Sequence, residues 1–140
     1  MAVIKATSED KKLMARLMRA EAEGEGKQGM LIAGNVMVNR VRFHCSDFED
    51  VRTVDDMVFQ SPGGFEAVQE SYFYQRARDQ EVRLAERLIR GERFNPAERS
   101  LWFFRPGEEC PPDWFGQPLS GGFKAHCFYN PTPEECPEMF

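Results

Sequence analysis

The sequence predicts an α+β protein. A mainly helical part covers about residues 7–95 and a small β-containing part about 96–140, with a cleft between them. Three observations predict it. Leu13, Met14, Leu17 and Met18 form an apolar stripe at helical spacing. Val82, Ala85, Leu88 and Ile89 form a second stripe, closed by Gly91. After Pro96 the helical pattern gives way to short aromatic runs between Pro, Gly and acidic residues.

Each element has its own signals. The first helix is expected over 7–24, with Thr7 as N-cap, Asp10 as its capping-box partner and Gly24 as the stop. Glu23, with Arg16 and Arg19, is expected on its solvent side. A second helix over about 27–42 carries Leu31, Ile32, Val36 and Val38 on its apolar face. Gly34 within it predicts a close approach to the first helix. Residues 44–53 read as loop, 54–59 as a short helix and 60–65 as a turn-rich loop. The next helix is expected over 79–90. Residues 100–104 and 123–129 are strand candidates, with loop over 106–118 between them.

The chain has 140 residues, 41% of them hydrophobic, enough for one domain with its own core. A net charge of -5 and no dense basic patch argue against nucleic acid as a partner. No apolar run is long enough for a membrane span. The segment Met1-Ala2-Val3-Ile4-Lys5 lacks a signal-peptide core, so synthesis in the cytosol is expected. Cys45, Cys110, Cys127 and Cys136 make no C-x-x-C pair, which removes the strong zinc-ribbon signal. Buried thiols, or oxidation at an oxidising surface, fit better than a Cys/His metal site built on His44-Cys45 and His126-Cys127.

Glu21 is the residue that points to chemistry. Steps of four from Leu13 through Leu17 land on it, so a carboxylate continues a hydrophobic stripe. Packing against Leu17 and Met18 disfavours its charged form and raises its pKa, as a general acid at neutral pH requires. The bland alternative is a core-edge glutamate held by Arg40. The chain is also rich in aromatics, among them Phe65, Tyr72, Trp102, Phe103, Phe104, Trp114 and Phe128. Most belong to the core, but an acid beside exposed aromatic rings is the composition of a glycan-cleaving site. Gly-rich phosphate loops, H-E-x-x-H and G-x-S-x-G are absent.

The block Glu21-Ala22-Glu23-Gly24-Glu25, then Gly29, then Asn39-Arg40, resembles the signature of the SleB/CwlJ cell wall hydrolases, the spore cortex-lytic enzymes. Gln60 and Pro62 ahead of Phe65-x-Ala67-Val68, Phe103-Phe104-x-Pro106 and His126-x-Phe128 extend the resemblance over nearly the whole chain, so 1–140 reads as a single catalytic domain. The Cys127-Phe128-Tyr129-x-Pro131-Thr132 ending resembles the CwlJ branch. The 60–65 loop departs from the family pattern by one extra residue.

The resemblance implies a lysozyme-like fold related to lytic transglycosylases. It implies cleavage of spore cortex peptidoglycan during germination, with Glu21 as catalytic acid. Glu25 and Glu66 are candidates for a second acid or for support, and Asn39 and Arg40 for bracing residues. Gln60, Phe65, Tyr72, Phe104 and His126 are candidate sugar contacts. No metal or cofactor is expected for the chemistry. The resemblance further implies a place in the spore coat near the cortex, a coat partner protein, and calcium–dipicolinate as activating signal. The rival readings are an amidase that frees peptide stems with a metal, and a non-catalytic glycan-binding coat protein.

Overall fold

The computed structural model describes residues 2–62 and 64–140, so Gly63 of the expected 60–65 loop lies outside the described residues. Helix α1 spans Ser8–Ala22. Its start follows the sequence signal: Thr7 Oγ1 accepts from the Asp10 N–H at 3.1 Å, and the Asp10 carboxylate accepts from the Thr7 N–H at 2.9 Å. Helix α2 spans Gly26–Arg42 and is buried at every position from Gly29 to Val41, which makes it the central helix. Helix α3, Val54–Val58, repeats the capping box with Thr53 and Asp56. Helix α4 spans Asp79–Ile89, and Gly91 takes the positive φ of 107° that ends it.

The core forms where the apolar faces of these helices meet. Met14, Leu17, Met18, Leu31, Met37, Met57 and Leu88 are fully buried. Burial of each such side chain contributes about 1.5–3 kcal/mol. Gly34 permits the tightest approach, although its nearest neighbour is on α4. A Cβ there would meet Leu88 Cδ1 at 2.4 Å and the Met18 thioether of α1 at 3.1 Å. Gly34→Ala is therefore expected to destabilise by about 1–3 kcal/mol. Thermal denaturation would show this as a fall of several degrees, and an unchanged midpoint would refute the packing account.

Arg19 departs from expectation. It is 3% exposed, and its guanidinium donates to the carbonyls of Arg76 and Gln75 at 2.7 Å. Segment 72–76 folds back over α1 and supplies acceptors that α1's own sequence could not announce. Arg16 serves the same segment through the Phe73 carbonyl at 2.9 Å.

The C-terminal part is one antiparallel sheet in the order β1-β4-β3-β2. The strands are β1 Trp102–Phe104, β2 Asp113–Trp114, β3 Gln117–Phe123 and β4 His126–Tyr129. The expected strand over 123–129 is thus a hairpin: β3 ends at Phe123, Lys124 turns with a φ of 52°, and β4 starts at His126. The expected loop over 106–118 yields β2 and the start of β3. Strand β4 is buried along its length and pairs Phe128 with Phe103 and Cys127 with Gly122.

Asn39 and Arg40 join the sheet to the helices. The Asn39 amide donates to the carbonyls of Ala97, Glu98 and Ser100 at 3.2, 3.2 and 2.9 Å, and Arg40 Nε donates to the Leu101 carbonyl at 2.7 Å. These bonds fix the segment entering β1 against α2. The four cysteines form two disulfides, Cys45–Cys136 and Cys110–Cys127. Of the two non-metal readings, oxidation holds, and the thiolates that a Cys/His zinc site requires are not available. No helix of the described residues is long and apolar enough to cross a membrane.

Candidate active site

Helix α1 delivers Glu21 to its last turn, where the stripe of buried Leu17 and Met18 runs out at a cleft. The cleft has a volume of about 660 Å³. Glu21 and Arg40 line it together with Phe65, Glu66, Trp102, Phe103, Phe104, Arg105, Trp114 and His126. Helices supply the acid, the 64–70 segment supplies one wall, and the sheet supplies the other.

Burial is the dominant influence on Glu21 and raises its carboxyl pKa to about 7. The cations Arg40 and Arg105 oppose the rise, while Glu66 and Glu70 add to it. Arg40 is 5% exposed, and burial lowers its own pKa to about 10 against the pull of Glu21 and Asp47. Its guanidinium lies over the rings of Phe48 at 4.5 Å and Phe65 at 4.7 Å. Its Nη1 is buried with no hydrogen-bond partner among the described residues. A fixed cation under the floor of the cleft, with a donor to spare, favours the ionised form of the acid once its proton has left. The acid is thus neutral at rest and supported when charged.

Glu25 has a different place. Its carboxylate accepts from the Ala125 N–H at 2.8 Å and pairs with His126 Nδ1, and its carbonyl accepts from Lys124 Nζ at 3.1 Å. It clamps the β3–β4 turn to the α1–α2 junction. The side chain reaches the turn by crossing Gly29, where a Cβ would sit 2.5 Å from Glu25 Cβ. That close passage gives a physical reason for a glycine four residues after Glu25. With its oxygens committed, Glu25 fits support, whereas Glu66 is exposed on the cleft wall.

The sugar-contact candidates divide. Phe65, Phe104 and His126 line the cleft. Phe104 stacks between Trp114 at 4.3 Å and Tyr129 at 5.6 Å, and His126 lies 5.4 Å from Phe103. Gln60 is elsewhere: its amide donates to the Asp47 carbonyl at 2.9 Å, and it lines a neighbouring groove with Phe59 and several aspartates. Tyr72 is also elsewhere, its hydroxyl on the Glu23 carboxylate and its ring beside Arg19. Glu23 is held there by Arg78 at 2.7 Å rather than left free in solvent. Asn39 braces the approach to β1 rather than the acid itself. Trp102, Phe103, Arg105 and Trp114 belong to the cleft without having been singled out as contacts. The aromatic run at 102–104 was the available signal for the first two.

The chain matches known proteins along this whole framework. The family profile described as Cell Wall Hydrolase matches residues 24–129. The cell wall hydrolase CwlJ of Halalkalibacterium halodurans is 67% identical over 140 residues, covering 100% of this chain and 98% of that protein. CwlJ of Bacillus subtilis is 59% identical over 140 residues, again covering 100% and 98%. The catalytic domain of the Bacillus cereus SleB protein superposes with a TM-score of 0.72 at 22% identity, over 93% of this chain and 98% of that one. The catalytic domain of the germination-specific lytic transglycosylase SleB from Bacillus anthracis gives 0.70 at 23% identity, over 89% and 97%. The lysozyme-like fold expected from the resemblance is the fold observed. With its motif residues placed around the cleft and its length matched from end to end, the chain belongs to the SleB/CwlJ family of cell wall hydrolases.

Proposed function

We propose that this cell wall hydrolase cuts the bond between N-acetylmuramic acid and N-acetylglucosamine in spore cortex peptidoglycan during germination, with Glu21 as the general acid and base. One observation carries the reading: a carboxyl raised to about 7 opens on an aromatic-walled cleft. The germination-specific lytic transglycosylase among the structural neighbours has the same fold and supports it.

Glu21 gives its proton to the glycosidic oxygen as the C1–O bond breaks, and N-acetylglucosamine leaves as the 4-hydroxyl. The muramyl 6-hydroxyl then closes on C1, and its proton goes to the Glu21 carboxylate. One carboxylate completes this cycle, and Arg40 steadies it while it is charged. A water-using route needs a second acid, for which Glu66 on the opposite wall is placed and Glu25 is not. A coat location, a coat partner protein and calcium–dipicolinate triggering belong to the same proposal, on the likeness to the CwlJ proteins.

The test is product analysis by mass on cortex fragments. Anhydro-muramyl ends are the expected result, and new reducing ends would move the reading to hydrolysis. Free peptide stems with intact glycan would overturn it in favour of an amidase. The kcat profile is expected to fall as pH rises through about 7, where Glu21 loses its proton. A rate that stays flat to pH 9 would remove Glu21 from the acid role.

A further inference from the structure

On the glycosidic reading above, we propose that Arg105 selects the anionic muramyl unit of the substrate by pairing its guanidinium with a carboxylate beside the scissile bond. Every muramyl residue carries a lactyl ether that ends either in a carboxylate or in a peptide with carboxylates of its own. A cut at the muramyl bond brings that substituent into the cleft. The cleft is poor in cations to receive it. Glu21, Glu66, Glu70 and Asp47 all line it, and each repels a carboxylate when ionised.

Of the cations nearby, two are committed. Arg40 is buried, with Nε on the Leu101 carbonyl and its faces on two aromatic rings. Lys124 is bonded to the Glu25 carbonyl. Arg105 is exposed, and among the described residues no carboxylate pairs with it and no hydrogen bond engages its side chain. It lines both the main cleft and a cavity of about 260 Å³ on the far side of Glu21, so it stands at the seam beside the acid.

Its backbone is held on both sides. Phe104 before it is packed between Trp114 and Tyr129, and Pro106 after it restricts Arg105 to extended conformations. A guanidinium with a fixed base and free donors is pre-organised for bidentate pairing with a carboxylate. The acidic wall then acts in favour of selectivity, because an anion is tolerated only where Arg105 meets it.

The experiment compares wild type, Arg105→Gln and Arg105→Lys on two glycans: native cortex glycan, and the same glycan with its carboxylates amidated by carbodiimide. On native glycan Arg105→Gln is expected to raise KM about tenfold, with Arg105→Lys recovering part of the loss. On amidated glycan the three proteins should have the same KM. Native glycan stripped of its peptides identifies the carboxylate: a retained difference points to the lactyl group, and a lost one to the peptide. Arg105 also lowers the Glu21 pKa, so Arg105→Gln should move the pH profile upward on both glycans. That shift separates the influence on the acid from the contact with substrate. An equal KM change on both glycans, or none on native glycan, overturns the proposal while leaving the glycosidic reading intact. Absence of anhydro or reducing ends from wild type on either glycan overturns both.

Discussion

Glu21→Gln is expected to reduce glycan cleavage by about a thousandfold, the scale of a lost general acid, while making the folded protein more stable above pH 7. The two effects share one cause. Burial holds the Glu21 pKa at about 7, against 4.5 for the ordinary carboxyl. The folded protein therefore binds this proton more tightly than the unfolded chain does. Below pH 4.5 the carboxyl is protonated in both states and folding bears no cost from it. The cost grows from 4.5 to 7 and is complete above 7, where it reaches about 3 kcal/mol. Glutamine keeps the shape without the charge. Melting midpoints of the two proteins should coincide near pH 4 and separate at pH 8 by roughly 6–12 °C in favour of the variant. An active variant would end the catalytic assignment. An inactive variant with no stability gain at pH 8 would show that Glu21 is not held neutral by its surroundings.

That the acid was legible in the sequence at all follows from how helices encode themselves. The stripe through Leu13 and Leu17 and the Thr7–Asp10 box lie within one segment, so local pattern alone places Glu21 on the buried face. Strand β3 offered nothing comparable. Its run Gln117–Phe123 contains Pro118, Gly121 and Gly122 and reads as loop, because its order comes from pairing with β4 across a hairpin and with β2 across a turn. The same limit explains the misplaced contacts. Tyr72 sits in a single 3-10 turn, Ser71–Tyr74, whose facing is set by Arg16 and Arg19 reaching across from α1. Gln60 is tied to Asp47, 13 residues away, by a bond that no periodicity announces. Glu25 was legible as important but not as a clamp, because its partners Lys124, Ala125 and His126 lie about a hundred residues on.

Loss of the Cys45–Cys136 disulfide is expected to have the largest effect on stability. It closes 91 residues of sequence, from the loop after α2 to the C-terminal turn at Pro137–Met139. Cross-linking so long a loop restricts the unfolded chain enough to contribute about 4–5 kcal/mol. The paired Cys45→Ser and Cys136→Ser change should therefore lower the melting midpoint by roughly 10–15 °C. The Cys110–Cys127 disulfide spans only 17 residues, and the same chain-entropy argument gives about 3 kcal/mol. Its removal should cost less stability but more activity. Cys127 follows His126 on β4, and Cys110 anchors the segment that leads to Trp114 on the cleft wall. The two double-serine variants, compared by thermal denaturation and by kcat/KM on cortex glycan, should thus rank in opposite orders. Equal midpoints would show that loop length does not govern these bonds. A Cys110/Cys127 variant with full activity would show that the sheet holds its side of the cleft without the cross-link.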